Sequence, residues 1–247
     1  MNINEEEEIK KEFQLERVIL FSDAVFAIII TIMVLEIKLP DNLRHANPEV
    51  VQEAFKELIP KFIGYAFSFS LIGSFWFRHL QIFSFLKNYN AVLIILNLAF
   101  LFCVSMFPFA VTFITVGLEY TWGLFTYIGI IFLVTLSQTI ITHYLIKNKA
   151  LLCINSRNME TVLKWKVQRL NYAIVPIGFI WMAIISYFKL DPKSLLYFVG
   201  FYGVLVSLLN RKYYPGQNSS KPMIFKYVKS HKRKGKPQPA KKIQPEN

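Results

Sequence analysis

Apolar residues gather in six long runs along this chain, at about 17–39, 60–87, 90–117, 120–146, 168–188 and 194–209. Most hold about 20 residues or more, enough for a helix rising about 1.5 Å per residue to cross about 30 Å of hydrocarbon. Prolines punctuate the pattern. Pro40 helps end the first run, Pro60 suits the first turn of the second, and Pro192 suits the first turn of the short sixth. Pro108 and Pro176 lie inside the third and fifth runs, where a membrane helix tolerates a proline and often bends. Between the first two runs, Asn47-Pro48-Glu49 leads into Val50, Val51, Ala54, Phe55 and Leu58, a pattern that predicts a short amphipathic helix at the membrane surface. Gly64 with Gly73, and Gly200-x-x-Gly203, suit close helix packing. The prediction is an all-α polytopic membrane protein with six transmembrane helices. Residues 1–16 form an amino-terminal segment, 17–209 the membrane domain, and 210–247 a tail expected to be disordered.

Composition supports that reading. Of 247 residues, 54% are hydrophobic and 18% charged, too apolar for an ordinary soluble domain. The acidic start, Glu5 to Glu8, is unlike a signal peptide, so the first run is expected to stay in the mature protein. The net charge of +12 is unevenly spread. Six crossings put both termini on one side. Of the 28 Lys and Arg residues, 22 then fall on the side of the termini; the other six are Lys38, Arg44, Lys56, Lys61, Lys189 and Lys193. This bias makes that side cytoplasmic in a cell-membrane protein. Eleven of the basic residues lie in the tail, which suits a solvated cytoplasmic segment and also attraction to anionic lipid. No other feature resembles a nucleic-acid module. Cys103 and Cys153 show neither metal-ligand spacing nor a disulfide framework, and no cofactor is expected.

The candidate chemistry starts with Asp23, inside the first run. A carboxylate within a spanning helix costs at least about 2.5 kcal/mol without compensation. Arg17 is six positions away on the same helix and does not share its face. The partner is therefore expected from another helix. Trp76, Arg78 and His79 near the inner end of the second run, and Asn97 in the third, reach a similar depth. The reading is a buried network of Ser22, Asp23, His79 and Asn97, with Arg17 and Trp76 as further members. The competing reading leaves Asp23 in headgroup water with Arg78 and His79 at the interface. Asp23 and His79 also suit a proton relay, which keeps a proton-coupled or other secondary transporter open. No Ser/His or paired-Asp spacing converges at one depth, which argues against an enzyme. Ile28, Thr31 and Leu35 form a single helical stripe. Such a stripe is more often lipid-facing or packing surface.

Arg17-x-x-x-Phe21-Ser22-Asp23, Trp76-x-x-His79 and Asn97 with Pro108-Phe109 together resemble the signature of the transmembrane protein 175 family of potassium channels. The resemblance covers about residues 12–210. It implies a homotetramer of six-helix chains that passes K+ through a central pore lined by the first helix. It implies a constriction of bulky aliphatic residues at Ile28, a threonine layer at Thr31 and a further apolar ring at Leu35. Arg17, Phe21, Ser22, Asp23, Trp76, His79 and Asn97 become its structural signature. The sequence lacks a Thr-Val-Gly-Tyr-Gly filter, so selection is expected to be modest, with a hydrophobic gate that opens by wetting.

Overall fold

The computed structural model describes residues 3–37, 47–116, 121–154 and 158–215. The elements are α1 (Ile3–Met33), a 3-10 turn (Val34–Glu36), α2 (Pro48–Phe83), α3 (Ala91–Ser105), α4 (Phe107–Val116), α5 (Thr121–Lys147), three short helices α6 (Lys149–Leu152), α7 (Met159–Val162) and α8 (Trp165–Gln168), then α9 (Asn171–Phe188) and α10 (Ser194–Tyr213). Among the described residues the chain is helical, with one isolated backbone bridge between Leu86 and Cys153.

By length and composition five helical stretches are able to cross a membrane: Pro48–Phe83, Ala91–Phe113, Thr121–Lys147, Trp165–Phe188 and Ser194–Tyr213. The chain is a multi-pass membrane protein. α1 falls outside that group because its last 18 residues include Glu16, Arg17 and Asp23.

Several ends differ from expectation. α1 begins about fourteen residues early, because the polar stretch before Arg17 is rich in good helix formers and free of Gly and Pro. No separate amphipathic helix precedes the second span. Pro48 takes the first-turn position, after Asn47 in extended conformation, and α2 runs unbroken through Pro60 to Phe83. Pro60 thus sits in the helix interior, at the loss of one backbone hydrogen bond. Pro108 breaks rather than merely bends the third span: α3 ends at Ser105, Met106 forms the joint and α4 restarts at Phe107. α10 extends to Tyr213, four residues beyond the expected end. The expected turn at Pro40 and the basic tail beyond Pro215 lie outside the described residues.

α5 is the central helix. Its apolar window is 56% buried, against 6% for α10. It packs on α3, α4 and α9. Gly178 of α9 makes the α5 contact possible, since a Cβ there would lie 2.2 Å from Phe132 Cε2. Gly73, Gly200 and Gly203 do not serve the close packing expected of them within the protomer, because a Cβ on each would meet open space. At the end where α5 finishes, the loop is laced to the turn before α3. Lys87 N–H donates to Leu152 O at 2.9 Å, and Ile154 N–H to Phe85 O at 2.7 Å. Asn90 caps α3 by accepting from Leu93 N–H at 2.9 Å, and its amide donates to Tyr144 Oη on α5 at 2.7 Å.

Candidate functional site

α1 has two unlike faces. Leu15, Ser22, Phe26, Ile29 and Met33 are buried against α2, α3 and α4. On the other side Arg17, Phe21, Ala24, Ile28, Thr31 and Leu35 are exposed, at alternating spacings of four and three. Ile28 is 55% exposed and Leu35 66%, so the single chain leaves this stripe largely uncovered. Thr31 Oγ1 lies 3.0 Å from Ala27 O and 2.9 Å from Ile28 O. Its hydroxyl proton is spent on its own helix, which leaves the oxygen lone pairs facing outward.

The buried face carries a polar chain. Ser22 Oγ donates to Val18 O at 2.9 Å and accepts from Asn97 Nδ2 at 2.9 Å. Asn97 Oδ1 lies 2.9 Å from His79 Nε2. With the amide in this orientation, Nε2 of a neutral imidazole carries the proton and donates. The ring is stacked between Phe83, at 4.0 Å between centroids, and Phe100, at 5.4 Å. His79 Nδ1 is buried and meets no hydrogen-bond partner. Ser22, His79 and Asn97 are each no more than 1% exposed.

Asp23 takes a different partner. Trp76 Nε1 donates to Asp23 Oδ1 at 2.9 Å. Trp76 and His79 are one turn apart on α2, so this helix holds α1 directly through one residue and through Asn97 with the other. A buried polar group that loses its partner bears the full desolvation penalty, so both contacts fix the rotation of α1 about its axis. Arg17 and Phe21 stand outside this group. They line a cavity of about 360 Å³ with Gln14, Val18, Tyr89 and Asn97 among its walls. Tyr89 Oη donates to Gln14 Oε1 across it.

A family model described as "Endosomal/lysosomal potassium channel TMEM175" matches residues 17–108, the segment that holds both the exposed stripe and the polar chain. The match covers less than half of the chain, and through these residues the chain is similar to the TMEM175 family. A relative from Chryseobacterium sp. (strain P1-3) named "Potassium channel" is 40% identical over 90 residues, 36% of this chain and 43% of that protein. Mouse "Endosomal/lysosomal proton channel TMEM175" is 34% identical over 103 residues, 38% of this chain and 20% of that one. The chain thus spans half or less of the length of the curated relatives it matches. Likeness of fold reaches further. The crystal structure of a lysosomal potassium-selective channel TMEM175 homolog from Chamaesiphon minutus matches with TM-score 0.56 at 21% identity, over 76% of this chain and 98% of that one. A variant of the potassium channel MtTMEM175, crystallised in complex with a nanobody fusion protein, matches with TM-score 0.59 at 20% identity, over 79% and 91%. The TMEM175 match in sequence ends near Pro108, while the likeness in fold runs on into the later helices.

A second polar group occupies those later helices. Asn171 Nδ2 donates to Thr139 Oγ1 at 2.8 Å, Gln168 Nε2 to Thr142 Oγ1 at 3.0 Å, and Gln138 Nε2 to Phe75 O at 3.1 Å. Tyr202 Oη donates to Asn171 Oδ1. Sequence reasoning passed over this group. Its signal was the run Ser137-Gln138-Thr139 followed by Thr142, polar residues one turn apart inside an apolar segment.

Proposed function

We propose that this protein is a potassium-permeable cation channel, assembled as a homotetramer around the exposed stripe of α1. The observation that carries the reading is the contrast between the two faces of that helix. One face is clamped by hydrogen bonds, one buried and one part-buried, that set its rotation, and the other leaves Ile28, Thr31 and Leu35 exposed in the single chain. Four copies arranged about an axis place four Ile28 side chains toward one another as a constriction that conducts when wetted. The Thr31 oxygens, with their protons engaged on the helix, offer lone pairs that replace part of the hydration shell of a monovalent cation one turn away. The names of the bacterial relatives support K+ as the ion. The skewed distribution of Lys and Arg supports α1 as a sixth crossing, both termini in the cytoplasm and residence in the cell membrane.

The proton-relay reading, through Asp23 and His79, gains less from the geometry. Asp23 is engaged by Trp76, and His79 by Asn97, while His79 Nδ1 faces no acceptor or donor among aromatic rings. The decisive experiment is reconstitution of the purified protein in liposomes with an outward K+ gradient. Flux under the K+ gradient, weaker with Na+ and non-saturating, supports the channel. Vesicles that stay tight to K+ and Na+ alike, or uptake that requires a pH gradient, would overturn it.

A further inference from the structure

An open cleft of about 630 Å³ lies at the end of the membrane domain where α5 finishes and the next span begins. His143, Trp165, Arg169 and Tyr172 line it, with Leu170 and Ala173. Each is placed for a local reason. His143 is on the last turns of α5. The backbone at Lys164 is left-handed, with φ of 52°, which ends the preceding turn and starts α8 with Trp165 beside His143. Arg169 and Tyr172 follow on the outward side of the chain entering α9. His143 Nδ1 lies 3.0 Å from Tyr172 Oη, and its ring centroid lies 5.3 Å from that of Trp165.

The lining is mostly apolar surface that carries a few hydrogen-bonding groups and one fixed positive charge, and it contains no carboxylate. Among the described residues the ion pair between Lys149 and Glu160 lies elsewhere on the loop, and no acid meets Arg169. The cleft faces outward at the ends of two membrane-length helices, so it sits at headgroup level. Toward the bilayer centre its walls turn apolar. Ile140 on α5 and Pro176, Ile177 and Phe179 on α9 are exposed there, down to the contact of Phe132 with Phe179 at 5.7 Å. A guanidinium grips phosphate oxygens through paired donors, and Trp and Tyr favour the same depth.

We infer that this cleft binds the headgroup phosphate of an anionic phospholipid, with an acyl chain laid along the seam between α5 and α9. Positive charge above a greasy groove is the complement of that molecule and of neither a free anion nor a zwitterionic lipid. The site differs from the basic tail, whose attraction is diffuse and independent of Arg169. It rests on the multi-pass architecture and not on ion conduction.

The test titrates the full-length protein in detergent with phosphatidylglycerol, phosphatidylcholine of the same chains, or inorganic phosphate. Bound lipid is counted by native mass spectrometry and the melting midpoint is followed in parallel. Phosphatidylglycerol should bind and raise the midpoint, while the other two should not. Arg169→Gln should weaken phosphatidylglycerol about tenfold, the factor carried by one charge-assisted hydrogen bond, with the lipid-free midpoint unchanged. Trp165→Ala serves as a second variant and should also lose the lipid. Equal binding of both phospholipids, a full response to inorganic phosphate, or phosphatidylglycerol binding that survives both substitutions overturns the site.

Discussion

Trp76 Nε1 and Asp23 Oδ1 meet at 2.9 Å, joining α2 to a carboxylate inside α1. The contact answers the question posed by an acid in an apolar run: among the described residues its hydrogen-bond donor is an indole N–H. Because Trp76 donates one hydrogen bond and no charge, the pair is separable by substitution. Trp76→Phe keeps an aromatic ring and removes the donor. It should cost about 1–2 kcal/mol in the wild-type background and much less in Asp23→Asn, where no charge is left unpaired. Unfolding in mixed micelles measures both steps of the cycle, and equal costs in the two backgrounds would dissociate Trp76 from Asp23.

Ile28 stands 55% exposed on the face of α1 opposite to the clamp. If four copies close a pore there, Ile28→Asn replaces an apolar ring by a hydrated one and should raise resting K+ flux in liposomes about tenfold or more, with loss of preference over Na+. The protein's melting midpoint should change little, since the side chain is more than half exposed in the single chain. Unchanged flux together with unchanged preference would remove Ile28 from the conduction path.

Gly178 leaves room for Phe132, whose ring also packs edge-on with Phe179 and Phe198. Gly178→Ala should lower stability by about 1–3 kcal/mol, the usual cost of overpacking. Gly200→Ala and Gly203→Ala provide the contrast, because their Cβ positions are open in the protomer. A marked loss at Gly203 with none at Gly178 would point to packing between copies instead.

Burial pushes the Cys153 thiol up from its ordinary range, against a smaller opposing pull from the Lys87 charge. The thiolate is the reactive form, so at neutral pH Cys153 holds less of it than a free thiol does. In a Cys103→Ser background, maleimide labelling of the native protein at about pH 7.5 should be slower than that of a free thiol and should accelerate as pH rises. Full labelling within the time taken by a small-molecule thiol would show that the loop docks loosely.

The apolar runs made the spans readable because hydrocarbon thickness imposes a length on any crossing helix. Depth alone brought Asp23, Trp76, His79 and Asn97 to one level, since antiparallel helices with known starts share a common ruler. What the ruler lacks is rotation. It does not say that Asp23 and Ser22, adjacent in sequence, turn to different partners, nor that Arg17 faces a cavity beside Tyr89. Helix ends were hard to read for a related reason. Pro48 and Pro60 are both acceptable first-turn residues, and only packing along α2 decides that the chain passes through the second. The polar start of α1 escaped because a search for greasy runs is blind to a helix made of Glu, Lys and Gln.

The lacing of Leu152 and Ile154 to Phe85 and Lys87 has a mechanical consequence. These backbone bonds bolt the connector that follows the central helix to the turn from which α3 rises, less than about two turns below Asn97. The stretch after the central helix and the start of the helix that bears Asn97 are thus held in fixed register by backbone bonds, though remote from each other in sequence.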